Sequence, residues 1–257
     1  MKFEFTTTAC LRPELLDRTY AALSNHLLDV DIKTEGTLYI NIDPIPPRPD
    51  VKINDVIETA KKYFKTVHYN IGVENGNFAA AINWVFSQPK GEYFFHIEDD
   101  WEAQYPFKME KFINILKNNP KLLECIINGQ PNSFFKEEHK PIAQKRNRAC
   151  LWPSAWNTKM IQEILKLFPV PLDKDPEQWI WYLKFLDDKD SENPSPYFYY
   201  DVIFSKDPSC FHDIGRPWFA KHKDADRKTA QTMRAKKIKT LTDYNAFKDE
   251  FKKFGDF

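Results

Sequence analysis

The chain has 257 residues, 42% hydrophobic and 15% aromatic, which suffices for one large α/β domain with a real core and argues against disorder. Lys and Arg together number 37, as do Asp and Glu, so the formal charge is zero and the protein as a whole is not a polyanion binder. Seven glycines against 21 phenylalanines leave little room for a glycine-rich phosphate loop, and four cysteines without a C-x-x-C pair fit neither a zinc site nor a dense disulfide framework. No apolar run nears the ~18 residues of a membrane span, and MKFEFTTTAC lacks a signal-peptide core, so a cytoplasmic protein is expected.

In chain order, residues 2–8 read as a strand. Pro13 suits a first helical position, and Leu15, Leu16, Tyr20, Leu23 and Leu27 recur with helical spacing behind it. A second strand is expected over 37–43 (TLYINID), followed by PIPPRPD, a loop because proline removes backbone donors. A helix over 53–64, a strand over 66–71, a helix over 75–87 and a strand over 93–98 complete a βαβαβαβ alternation. That order predicts a parallel, doubly wound sheet with right-handed crossovers. Such sheets bind ligands outside the C-terminal ends of their strands, so the loops after Thr8, Asp43, Ile71 and Glu98 should gather along one edge.

The most informative stretch is GEYFFHIEDDW, residues 91–101, a buried strand ending in Glu98, Asp99 and Asp100. Adjacent acids repel one another, and a divalent cation is the usual compensation; a solvated acidic turn is the alternative. Convergence with Thr8, Arg12 and Asp43 favours a ligand site.

The second half predicts a helix over 106–118 and a strand over 123–129, then an exposed loop over 136–148 with five basic and two acidic residues. Trp152 and Trp156 precede a helix starting near Thr158 and are either stacking surfaces for an acceptor or core residues. Asp173, Asp175 and Glu177 open a further helix, where acids suit the dipole with or without a catalytic role. After the strand-like YFYYDVIF comes His212 on an aromatic run, then Arg216, Lys221 and Lys223. Residues 216–239 carry nine basic and two acidic residues, and the remainder to Phe257 reads as an amphipathic helix.

Three ordered pieces resemble the nucleotide-sugar glycosyltransferases of the GT-A fold, particularly their family-2-like group. TTTACLRPELLDRTYAAL resembles their opening strand, with a Thr and an Arg-Pro before the first helix. NIGVENGNFAAAINWVFSQPKGEYFF resembles their small-residue helix with an internal Asn (Asn83) and the Gly-Glu-Tyr strand after it. EDD stands where that family carries its D-x-D motif. Glu98 replaces the first Asp, and Asp43 stands alone where many members have paired acids. The match covers roughly the first hundred residues and returns near Pro208; composition and the lack of an anchor would suit a phage or large-virus origin, hence a host-cytoplasmic location.

The resemblance implies a GT-A, Rossmann-like α/β fold: a mostly parallel sheet flanked by helices, with a helical C-terminal tail. Residues 1–105 would be the nucleotide-sugar-binding half of one domain, 106–223 the acceptor-binding and catalytic half, and 224–257 the extension. It implies a metal-dependent, inverting hexosyl- or pentosyltransferase that uses a nucleotide-diphosphate sugar, a UDP-sugar being favoured. Asp100 and His212 would hold Mn2+ or Mg2+, which neutralises the departing diphosphate. Thr8, Arg12, Asp43, Asn83, Glu98 and Asp99 would line the donor pocket, Arg216 and Lys221 the phosphates. Glu177, or failing it Asp175, would be the general base. Trp152 and Trp156 would meet the acceptor, a glycan or a 5-hydroxymethylated pyrimidine in phage DNA extruded from its duplex. The alternatives are a sugar nucleotidyltransferase, whose glycine-rich first loop is missing here, and a non-catalytic nucleotide-sugar-binding module.

Overall fold

A computed structural model describes residues 3–119, 122–127, 144–145, 151–167, 169–177, 179–180, 201–202 and 210–222. The expected extension over 224–257, most of the basic segments 136–148 and 216–239, and Lys223 lie outside these residues. In order the elements are β1 (Phe3–Ala9), α1 (Pro13–His26), α2 (Ile32–Glu35), β2 (Gly36–Ile42), α3 (Ile53–Tyr63), β3 (Thr66–Ile71) and α4 (Phe78–Ser87). Then follow β4 (Tyr93–His96), β5 (Trp101–Ala103), α5 (Met109–Asn118), β6 (Glu124–Ile126), β7 (Gln144–Lys145) and β8 (Ser154–Asn157). The last are α6 (Thr158–Leu167), β9 (Asp201–Val202), β10 (Phe211–Asp213) and α7 (Gly215–Lys221).

The central sheet has the order β3-β2-β1-β4-β8-β6. Its first four strands are parallel, as the βα alternation requires, whereas β8 runs antiparallel to both β4 and β6. β1 is buried along nearly its whole length, so FEFTTTA shows no alternation of apolar and polar residues. Its one acid, Glu4, stays buried because its carboxylate accepts from the Lys90 and Gly91 amides and from the Tyr39 hydroxyl. One core lies between the sheet and α1, α3 and α5 (Leu16, Val56 and Phe112 are among its members); a second lies between the opposite face and α4 and α6. Among the described residues no helix is long and apolar enough to cross a membrane.

Local chemistry moves several element ends from where periodicity puts them. α4 starts at Phe78 rather than 75 because the Asn77 side chain accepts from the Ala80 amide as an N-cap. α5 starts at Met109 rather than 106 because a remote acid, Asp29, accepts from the Met109 and Glu110 amides. The four-residue strand β8 runs straight into α6, so no turn residues announce it. β5 and β10 form a small antiparallel ribbon with Asp213 opposite Trp101, and this ribbon brings the 210–213 segment to the end of β4.

Within the sheet, Thr6 on β1 and His96 on β4 are register partners, with Oγ1 and Nδ1 2.9 Å apart under the Phe86 ring. Burial lowers the His96 pKa to about 3, so the ring is neutral when folded. The unfolded chain binds the proton more tightly, near pH ~6.5. Stability from this group is therefore complete above that value and is lost as pH falls toward 3. Melting temperature followed from pH 7 to 4 should drop more steeply for the wild-type protein than for His96→Phe. Equal slopes would mean that His96 does not stay neutral.

Candidate active site

Backbone bonding carries the sheet past the end of β4. The Ile97 amide donates to Thr6 O (3.0 Å) and the Asp99 amide to Thr8 O (3.3 Å), while the Asp43 amide donates to Ala9 O (2.8 Å). The ends of β1, β2 and β4 thus share one edge, and Asp43, Glu98, Asp99 and Asp100 come from the two strands that flank β1 there.

Asp99 is already neutralised by the protein. Arg12 donates to it through Nη2 (2.5 Å) and Nε (3.2 Å), and the Cys10 amide adds a third bond at 3.1 Å. The two side chains are only 6% and 3% exposed. Burial works against the Arg12 charge, but Asp99 and then Asp100 outweigh it and hold its pKa above the ordinary value. Arg12 Nη2 also lies 3.3 Å from Asp100 Oδ2, and Nη1 is buried with no hydrogen-bond partner among the described residues.

Glu98 and Asp100 are crowded by like charges and by burial. Burial, with repulsion from Asp100 and then Glu177, pushes Glu98 well above the usual carboxylate range, although the Trp101 indole donates to it at 3.1 Å. Burial raises Asp100 to about 6; Arg12 pulls it down, and Asp99 and Asp213 push it up. Acids crowded in this way suit a cation. Among the described residues no three His, Cys, Asp or Glu side chains converge as a closed cage. Magnesium-like ions, however, are commonly held by one or two carboxylates, with substrate phosphates and water completing the shell. The oxygen donors here fit that open kind of site.

Asp43 is held by a relay the sequence does not advertise. Asn70 donates to Asn41 (2.7 Å), Asn41 donates to Asp43 Oδ1 (2.9 Å), and the Asn77 amide donates to Asp43 Oδ2 (3.0 Å). Gly72 lies against the same carboxylate, where a Cβ would fall 1.9 Å from Oδ1. Burial raises the Asp43 pKa, and the bonds from Asn41 and Asn77 hold the rise in check. The signal that could have found the relay is an Asn at equivalent register positions of β2 and β3.

The remaining candidates divide. The Glu177 carboxylate accepts from the Leu151 amide at 2.9 Å and acts on Glu98 through its charge, so this segment does reach the edge of β4. Asp175 stands at the start of its helical turn, its carbonyl accepting from the Trp179 amide. Thr8 is buried, its carbonyl accepting from Asp99. Trp152 is half-buried and packs on Trp101, the residue that bonds Glu98. Trp156, by contrast, is 0% exposed between Phe86 and Phe94, with its N–H on Ser154, so it offers no face to an acceptor and belongs to the core. Asn83 spends both ends of its amide on Val170, at 2.8 and 3.0 Å. These two bonds tie α4 to the segment at Val170. His212 is exposed opposite Glu102 in the ribbon. Side chains alternate along a strand, so Asp213, whose charge reaches Asp100, puts His212 on the other face. Arg216 is 78% exposed and paired with Asp213 at 2.8 Å, and Lys221 is exposed at the end of α7.

No protein-family model matches the sequence, and no curated protein matches it. Solved structures do share its shape. Staphylococcus aureus TarS, residues 1–349, is 13% identical over 98% of this chain and 69% of its own, with a TM-score of 0.53; TarS has also been solved with UDP and with UDP-GlcNAc. The mannosyltransferase PcManGT of Pyrobaculum calidifontis, in complex with GDP-Man and Mn2+, is 11% identical over 98% of this chain and 69% of its own, with a TM-score of 0.56. At such identities the likeness is one of fold, and the fold is the GT-A type expected from the sequence.

The Arg12–Asp99 pair yields a direct stability prediction. Asp99→Ala leaves a buried guanidinium without its main counter-charge and should cost ~3 kcal/mol or more in urea unfolding. The double variant with Arg12→Ala should cost less than the sum of the two single changes. Additive losses would show that the pair is not coupled.

Proposed function

We propose that the chain is a glycosyltransferase that moves a sugar from a nucleotide-diphosphate donor to an acceptor hydroxyl. The observation that carries it is the meeting of Asp43, Glu98 and Asp100, from two parallel strands, with Glu177 from a separate segment at one sheet edge. The likeness in fold to proteins solved with UDP-GlcNAc and with GDP-Man and Mn2+ supports this assignment.

Asp43, held firm by its Asn relay, takes the nucleoside. Asp100 would hold the divalent ion, and Mn2+ or Mg2+ bound there would supply charge neutralisation of the diphosphate. Arg12, with one buried donor unused, turns that donor to a phosphate oxygen. Trp152 and Glu177 face the acceptor. Glu177 removes the acceptor hydroxyl proton as that oxygen attacks the anomeric carbon, the bond to the diphosphate breaks, and the nucleoside diphosphate leaves with its electron pair. A single displacement of this kind inverts the anomeric centre. His212 takes no part in the proposed metal site.

Thermal-shift measurements with nucleotide sugars, UDP-sugars first, should show a rise that depends on Mn2+. A ligand at about a hundred times its dissociation constant stabilises by ~2.7 kcal/mol. Asp100→Ala should melt near the wild-type temperature and lose the Mn2+-dependent rise; an undiminished rise would remove Asp100 from the metal site. Glu177→Gln should bind donor normally yet hydrolyse it about a hundredfold or more slowly, the lower end of what general-base catalysis contributes. Unchanged hydrolysis would exclude Glu177 as the base.

A further inference from the structure

The turn between β10 and α7 lies directly on the Asp100 side chain. The Ile214 amide donates to Asp100 O at 2.9 Å. A Cβ on Gly215 would fall 2.1 Å from Asp100 Oδ2 and 2.8 Å from Cγ, so only glycine fits there. Arg12 Nη2 approaches the same Oδ2 at 3.3 Å. One carboxylate oxygen is thus gripped from two sides.

What keeps the turn seated is on the other side of α7. Trp218 Nε1 donates to Glu14 Oε1 at 2.8 Å, and Arg48 Nη1 donates to the same oxygen at 2.6 Å. Arg48 is itself fixed by Asp50 and by Leu11 O. The Arg12 guanidinium lies 5.8 Å from the Trp218 ring centroid and 5.0 Å from that of Phe219. Trp218 packs with Leu15 and Ile214 in a small cluster apart from both main cores. A seat built in this way can be loosened without disturbing the sheet.

We propose that the Trp218–Glu14–Arg48 latch is a positioning device: it seats Gly215 on Asp100 and pins Oδ2, so that Oδ1 would be the oxygen left to hold the cation of the donor complex. Trp218 and Glu14 act through Asp100 and touch no substrate. The inference rests on Asp100 being the cation-holding carboxylate, and the experiment separates the two claims.

Titration calorimetry on the full chain, with UDP and with GDP as probes and with or without MnCl2, tests it on Glu14→Ala, Trp218→Phe, Glu14→Gln and Asp100→Ala. Glu14 is partly exposed and its replacement should leave the fold intact; Trp218→Phe keeps a ring and removes only the indole donor. Trp218→Phe should weaken nucleotide binding in Mn2+ by about tenfold, near the upper end for one lost hydrogen bond; Glu14→Ala, which loses the bonds from both Trp218 and Arg48, should weaken it at least as much, and both should leave metal-free binding unchanged. Glu14→Gln, which still offers an acceptor, should recover most of the loss. Wild-type affinity in Glu14→Ala and Trp218→Phe, with Asp100→Ala losing its Mn2+ dependence, would refute the latch and keep Asp100. Equal weakening with and without Mn2+ would also refute it, since a merely structural role predicts that result. Retained Mn2+ dependence in Asp100→Ala, or no binding of either nucleotide by the wild type, would overturn the underlying assignment.

Discussion

Three consecutive carboxylates at the end of one strand are tolerable only because Arg12 crosses from the neighbouring strand end to meet them. The Arg12–Asp99 pair ties the β1–α1 turn to the end of β4 with two side-chain bonds, and the Cys10 amide adds a third. Taking both charges out of water costs several kcal/mol per ion, and only good geometry repays it. The pair therefore contributes less to net stability than to uniqueness. It selects one arrangement of the edge, and every other acidic side chain at that edge takes its surroundings from it.

Once Asp99 is matched, the rest of the charge has nowhere to go. Glu98 and Asp100 remain crowded, with Asp213 and Glu177 adding their repulsion, and both carboxyls rise above their ordinary range. Asp43 differs: hydrogen bonds from Asn41 and the Asn77 amide hold its rise in check. The edge thus divides into a settled part, Asp99 and Asp43, and an unsettled part around Asp100. In the proposed function, a cation carried in with a diphosphate would bind at the unsettled part.

The elements legible in the sequence were those with period and length on their side. The βαβαβαβ order, Pro13 at the head of α1 and the strand Thr66–Ile71 all follow from local pattern. The acidic edge was legible too, because strand order alone sends Asp43 and Glu98 to one side. Long-range bonds were not legible. Nothing near Met109 shows that Asp29 caps α5, and nothing near Asn83 shows that it clasps Val170. Trp156 takes the core reading of the two open to it, and His212 faces away from Asp100, because side chains alternate along a strand and a one-residue shift in where a short strand starts decides which face each one takes. Spacing to a motif cannot supply that register.

Two acids at this edge share one construction detail. Asp43 lies against Gly72 and Asp100 against Gly215, each at a distance that a Cβ would forbid. Backbone packed against a carboxylate restricts its rotamers without supplying a competing charge; at Asp43 the two oxygens then accept from Asn41 and the Asn77 amide. A lysine or arginine in the same place would orient the acid equally well but would also neutralise it, as Arg12 neutralises Asp99. The contrast between Asp99 and Asp100, adjacent in sequence, therefore follows from what was placed against each: two guanidinium bonds and an amide on Asp99, and the Gly215 backbone with a single, longer guanidinium contact on Asp100.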